Sequence, residues 1–205
     1  MSGLFSRAPP LTKTIMKNIP VILFGLYLPV LVFSMIKPFS WGNWIAEIIP
    51  VLVFVVLLAL TYRKYRLSNF AYLMASIWIF LHTIGAKYSF ALVPIDLFDD
   101  SRNHFDRFAH FAIGFWAVAI AEWAMMGKWV KNKTIAALFG VLTIMAVAAG
   151  YEIIEWAYAE LAAAGASDFL GSQGDVWDAQ KDMLADTCGA ISSVLLWLWI
   201  SRNNQ

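Results

Sequence analysis

Charge is scarce in this chain. Asp, Glu, Lys and Arg make up 14% of its 205 residues, against about 25% in a soluble domain. Cysteine is scarcer still. Cys188 stands alone, which excludes an intrachain disulfide, a zinc ribbon and a cysteine redox pair. No basic excess exists either: the formal net charge is +1, so no surface for nucleic acid is expected. The N-terminus, MSGLFSRAPPLTKTIMKNIP, is basic but too polar for a signal peptide. No small-residue cleavage site closes the first apolar block, so that block reads as a retained span. Zincin HExxH, GxSxG and Walker patterns are missing, as are internal repeats and low-complexity segments.

What is present is apolar. Hydrophobic residues reach 60% and the mean hydropathy is +0.66. They come in long blocks, the signature of membrane spans. The pattern predicts an all-α polytopic membrane protein, six transmembrane helices in a compact bundle. Residues 1–18 form a short basic arm and 19–201 a single transmembrane domain. The expected spans are Ile19–Ile36, Ile45–Tyr62, Asn69–Phe90, Phe105–Met126, Thr134–Trp156 and Met183–Ile200. Pro20 opens the first and Pro29 kinks it. Trp41 and Trp44 are expected at the membrane interface. The centre of the second span, VLVFVVLLAL, has no polar side chain and suits a lipid-facing helix.

Basic residues predict the topology. The Arg7–Lys17 arm, Arg63–Arg66 and Lys128–Lys133 share one side of a six-span model, expected to be cytoplasmic in a bacterial inner membrane. Both termini then lie in the cytoplasm. Asp96, Asp99, Asp100 and the Asp168–Asp178 loop fall on the opposite side.

Polarity concentrates between Gly150 and Asp186, and carboxylates in hydrocarbon are costly without a partner or a task. The topology delivers His82, Asp106, His110, Glu152, Glu155, Asp178, Asp182 and Asp186 to one depth near the outer face. Asp106 and His110 are four apart, and Glu152 and Glu155 three apart, so each pair shares a helical face. Asp178, Asp182 and Asp186 make one stripe if the last helix begins early enough. Mixed imidazole and carboxylate donors suit a divalent cation, with zinc, manganese or iron ahead of the all-oxygen ions. The expected metal ligands are His82, Asp106, His110, Glu155, Asp182 and Asp186. Glu152, Asp178 and Arg107 are the expected catalytic groups, with Arg107 gripping an anion. Glu122, near the other face, reads as a solvated or structural residue. Gly150 is expected to turn inward for close helix packing, with Ile144 and Val147 against apolar neighbours or lipid.

The strings HTIGAKYSF (82–90), HFDRFAHFAIG (104–114), GYEIIEW (150–156) and SQGDVWDAQKDMLADTCGA (172–190) resemble the YjdF-like family of small bacterial inner-membrane proteins. The resemblance covers about Ile45 to the C-terminus. It implies a six-helix architecture and singles out the residues above together with Asp175 and Gln180, but implies no reaction. A more distant similarity to VanZ-like membrane proteins runs through the Asp106/His110 and Asp178/Asp182/Asp186 spacings. Three functions compete: a metal-dependent hydrolase or transferase on a lipid-linked or phosphorylated substrate, a cation- or proton-coupled transporter, and a structural or stress-related protein. Membrane lipids are the expected partners, with a lipid-linked or anionic substrate for the enzyme.

Overall fold

The computed structural model describes residues 10–95, 102–162 and 172–203. These residues form helices α1 (Pro10–Met35), α2 (Trp41–Thr61), α3 (Asn69–Tyr88), α4 (Phe105–Ile113), α5 (Trp116–Met126), α6 (Lys133–Ala162) and α7 (Asp178–Asn203). Six stretches among them are long and apolar enough to cross a membrane: Asn18–Met35, Trp41–Thr61, Asn69–Tyr88, Phe105–Met126, Lys133–Ala157 and Asp178–Asn203. Asp96, Asp99, Asp100 and Asp168 lie outside the described residues.

Several boundaries differ from those expected. Helix α1 starts at Pro10 and runs through both Pro20 and Pro29. Helix α2 starts at Trp41, where the Ser40 hydroxyl accepts from the Asn43 amide at 3.4 Å. Trp41 stays exposed, but Trp44 is buried and donates to Ser34 Oγ at 3.1 Å. Trp44 is therefore a packing residue and not an interface anchor. The early start also places Glu47 a turn deeper in the span. Helix α7 starts at Asp178, five residues before the expected Met183, which gives the three aspartates their common face.

The fourth span is two helices, not one. At the break, Phe115 N–H donates to Ala112 at 3.1 Å and Ala117 N–H to Gly114 at 3.0 Å. These three-residue closures tighten the turn as a short 3₁₀ segment does. Glycine lowers the helix preference here, but packing gives it a stronger reason. A β-carbon on Gly114 would collide with the backbone of Asp186 and Ala190, and one on Gly189 would strike the Phe111 carbonyl. Helices α4 and α7 thus cross backbone on backbone. Gly140 does the same against the Ala117 carbonyl, joining α5 to α6. Small residues permit such approach where lipid supplies no hydrophobic drive. Gly150 is not one of them: a β-carbon there meets nothing within 4 Å. Ile144 is buried and Val147 exposed.

Helices α3, α4 and α5 form the middle of the bundle, each substantially buried, while the apolar faces of α1, α2 and α6 are largely exposed. The expected lipid-facing character of α2 appears in Leu52, Val53, Val56, Leu57 and Leu60. Trp116 is fully buried, with its ring 4.4 Å from Phe54 and 6.2 Å from Trp78 between centroids. At the end holding the basic loops, Glu122 ties three elements together. It accepts from Ser68 N–H and Ser68 Oγ, both at 2.7 Å, and from Trp197 Nε1 at 3.0 Å. That is a structural role for Glu122. Lys87 is likewise committed: its ammonium donates to the Ile36 carbonyl, capping the end of α1, and lies 4.6 Å from the Phe33 ring centroid.

One separation matters for the site. Helix α2 packs mainly on α3, and α6 packs on α5 and α7. Helices α2 and α6 meet through the bond from Tyr151 OH to Glu47 Oε2, 3.2 Å.

Candidate functional site

Helices α2 and α6 both line a cavity that is open to the outside. Its lining comes from five of the six spans. Helix α2 gives Glu47, Pro50 and Phe54; α3 gives Trp78 and His82; α4 gives Asp106 and His110. Helix α6 gives Ile144, Val147, Ala148, Tyr151, Glu152 and Glu155; α7 gives Asp182 and Asp186. Seven of the nine residues expected at the site thus line one cavity: His82, Asp106, His110, Glu152, Glu155, Asp182 and Asp186.

They do not form one cluster. Asp106, His110 and Asp182 each offer a ligand atom within 4.8 Å of the others. His110 Nε2 lies 3.7 Å from both Asp106 Oδ1 and Asp182 Oδ1. Its other nitrogen, Nδ1, is 3.1 Å from Asp186 Oδ1. An ionised carboxylate only accepts, so Asp186 holds the proton on Nδ1 and leaves Nε2 facing the two carboxylates. A carboxylate behind a metal-binding imidazole does the same in known metal sites. Asp186 thus backs His110 on the side away from Asp106 and Asp182.

His82 belongs to a second group. Its Nε2 donates to Glu47 Oε2 at 3.0 Å, and Tyr151 OH donates to the same oxygen at 3.2 Å. The His82 ring packs between Trp78 and Phe90, at centroid distances of 4.9 and 5.0 Å. The two histidines expected as joint ligands thus serve separate carboxylates.

Arg107 and Asp178 are outside the cavity. Arg107 Nη1 is held by Asp182 Oδ1, and Nη2 by Asp178 Oδ1 at 2.6 Å. Arg102 reaches the same Asp178 oxygen at 2.6 Å and donates to the Ser172 carbonyl at 2.8 Å. Arg107 is thus engaged by two carboxylates. The network fastens the segment before α7 over the start of α4. Asn103 N–H donates to Gln173 Oε1 at 2.9 Å and completes the tie.

At the edge of this network Asp175 accepts from Lys181 Nζ at 2.6 Å and from the Trp177 amide at 3.0 Å. The ammonium bond, followed by the amide bond, holds its carboxyl below the usual value. The sign follows directly. A depressed acid stabilises the fold above its unfolded pKa, about 3.9, and that stabilisation disappears as pH falls through the lower folded value. In Lys181→Ala the Asp175 titration moves upward toward the unfolded value. A carboxyl-carbon NMR titration checks this; an unchanged midpoint would contradict the assigned cause.

Glu47, Tyr151 and Arg102 are the residues missing from the sequence expectation. Glu47 had a signal: it is a lone carboxylate in an apolar run, and such a residue is a site candidate by default. Tyr151 and Arg102 had none, since only packing gives them their partners.

The fold and cavity define a six-span helical membrane protein with an acidic, histidine-bearing chamber near one end of the bundle. The chain belongs to the family described as "Predicted membrane protein (DUF2238)", whose model matches residues 19–204. It is 35% identical over 176 residues to the inner membrane protein YjdF of Escherichia coli (strain K12), covering 81% of this chain and 82% of that protein. No solved structure matches it. The sequence resemblance to YjdF-like proteins and the six-helix architecture it implies both hold.

Proposed function

We propose that the cavity binds a divalent cation at Asp106, His110 and Asp182 and uses it in hydrolysis or group transfer on a lipid-linked or phosphorylated substrate. The observation that carries this reading is the convergence of those three donors, with Asp186 behind His110, on the wall of an open cavity. Three protein ligands leave room for water or substrate, as catalytic sites require and closed structural sites do not. Manganese, zinc and iron accept this mixed donor set. Held there, such a cation would lower the pKa of a bound water and polarise a phosphoryl oxygen. Glu152 or Glu155 would take the water proton as the oxygen bonds to phosphorus and the bond to the departing oxygen breaks. The proton then passes to that leaving oxygen. Transport is the weaker reading. It needs a polar path toward the opposite end, and Glu122, the acid there, is engaged by Ser68 and Trp197.

Manganese titration of purified protein, stripped with chelator and followed by electron paramagnetic resonance, tests the cation. One ion is expected per chain. Asp186→Asn should weaken binding by about 10–100-fold, the usual cost of losing an orienting partner, while Leu57→Ala leaves it unchanged. Absence of binding, or equal binding by wild type and Asp182→Asn, rejects the site.

Orientation belongs to the same proposal. The basic loops around Arg63–Arg66 and Lys128–Lys133 face the cytoplasm together with both termini, and the cavity end faces outward. With Cys188 replaced by alanine, Gln173→Cys should react with a membrane-impermeant maleimide in spheroplasts. Lys131→Cys should react only after lysis. The reverse pattern would invert the topology.

A further inference from the structure

We propose that the substrate is a phospholipid-type amphiphile that enters from the bilayer between α2 and α6, with its phosphate held by the divalent cation. The proposal rests on the cation reading above and narrows it from any phosphorylated substrate to one that arrives through lipid.

Three observations carry it. The first is the gap. Helices α2 and α6 face each other across the cavity, each packed on a different partner, and both expose apolar side chains along their outer faces. A slot between two such helices would open to hydrocarbon. The bond from Tyr151 to Glu47 crosses it near the polar end.

The second is the division of the lining by depth. Pro50 and Phe54 sit near the middle of the Trp41–Thr61 span, and Ile144 near the middle of Lys133–Ala157. Glu47, Tyr151 and Glu155 lie one or more turns nearer the membrane edge on the same helices. The cavity is thus apolar toward the bilayer centre and polar toward one surface. A water-soluble phosphate ester has no use for the apolar half, whereas an acyl chain does.

The third is charge. Among the described residues no Lys or Arg lines the cavity. Arg107 and Arg102 are bound to Asp178, and Lys87 to the end of α1. A bare phosphate among these carboxylates would be repelled. A cation bridging Asp106, Asp182 and the phosphate removes the repulsion, so lipid and metal should bind together.

The test uses full-length protein in vesicles of phosphatidylethanolamine and phosphatidylglycerol. A trace of phosphatidylglycerol carries a photoactivatable diazirine on its acyl chain, and labelled sites are mapped by mass spectrometry. Manganese should raise labelling at Phe54 and Ile144 by about tenfold, equivalent to roughly 1.4 kcal/mol of coupling. Labelling at the lipid-facing Leu60 should not change. Ala148→Phe, which fills the apolar half, should remove the Phe54 label while manganese binding persists. Cavity labelling that ignores manganese, or that matches Leu60 in every variant, overturns the lipid route. If manganese binds and no cavity position is labelled, the lipid inference fails and the cation site stands. If no manganese binds at all, both fail.

Discussion

Gly189→Leu is expected to prevent assembly of the native bundle, so that little or no monodisperse protein is recovered in mild detergent. A β-carbon at this position falls on the Phe111 carbonyl group, and the matching position on α4, Gly114, is closed by the backbone of Asp186 and Ala190. Neither clash involves a side chain that can rotate away. The helices must separate, and that withdraws Asp182 and Asp186 from His110. Over-packing usually costs about 1–3 kcal/mol, occasionally more, and a rigid backbone contact belongs at or above the top of that range. Gly150→Leu provides the contrast, because a β-carbon there meets nothing within 4 Å. It should retain near-wild-type recovery and melting temperature. Equal losses at the two glycines would show that the α4–α7 crossing is not the tight point of the bundle.

Arg107→Ala should be the most damaging single change in the polar network. Asp178 keeps Arg102 at 2.6 Å, but Asp182, which is 3% exposed, is left with only His110 at 3.7 Å among its ion-pair partners. Breaking a buried ion pair by removing one member typically costs about 3–5 kcal/mol, since the other charge stays buried. Unfolding of the detergent-solubilised protein, followed by tryptophan fluorescence, measures the loss. Arg107→Ala combined with Asp182→Ala should be more stable than Arg107→Ala alone, the non-additivity expected of direct partners. Arg107→Lys should fall between, because an ammonium keeps the charge but cannot bridge two carboxylates with a planar fork. Manganese bears on both halves of the argument. If it occupies the Asp106–His110–Asp182 group, it should restore part of the stability lost by Arg107→Ala.

The cavity-lining residues were legible to different degrees. Glu152, Glu155, Asp182 and Asp186 were conspicuous because a carboxylate stands out against apolar sequence. Asp106 and His110 followed from their four-residue spacing. Glu47 carried the same signal as Glu152, yet expecting α2 to begin at Ile45 puts it in the first turn at the membrane edge. The Ser40 cap places it a turn deeper, against His82. Arg107 could be recognised as a cation near acids, but its partners could not: Asp178 and Asp182 lie more than seventy positions away, and no local pattern spans that distance.

By itself the sequence determined the medium, the six spans and the end of the bundle that collects the acids. Those properties depend on hydropathy summed over about twenty residues and on charge counted between blocks. Such sums tolerate a helix that starts nine residues early or breaks at Gly114. Tertiary structure decided the rest. Which carboxylate each histidine serves, where the bundle is tight and where it is open all depend on contacts between helices distant in sequence. Those contacts are set by backbone crossings at Gly114, Gly140 and Gly189, where an added methyl carbon would overlap a neighbouring backbone atom. Periodicity tells which face of a helix is polar, but only packing tells what that face meets.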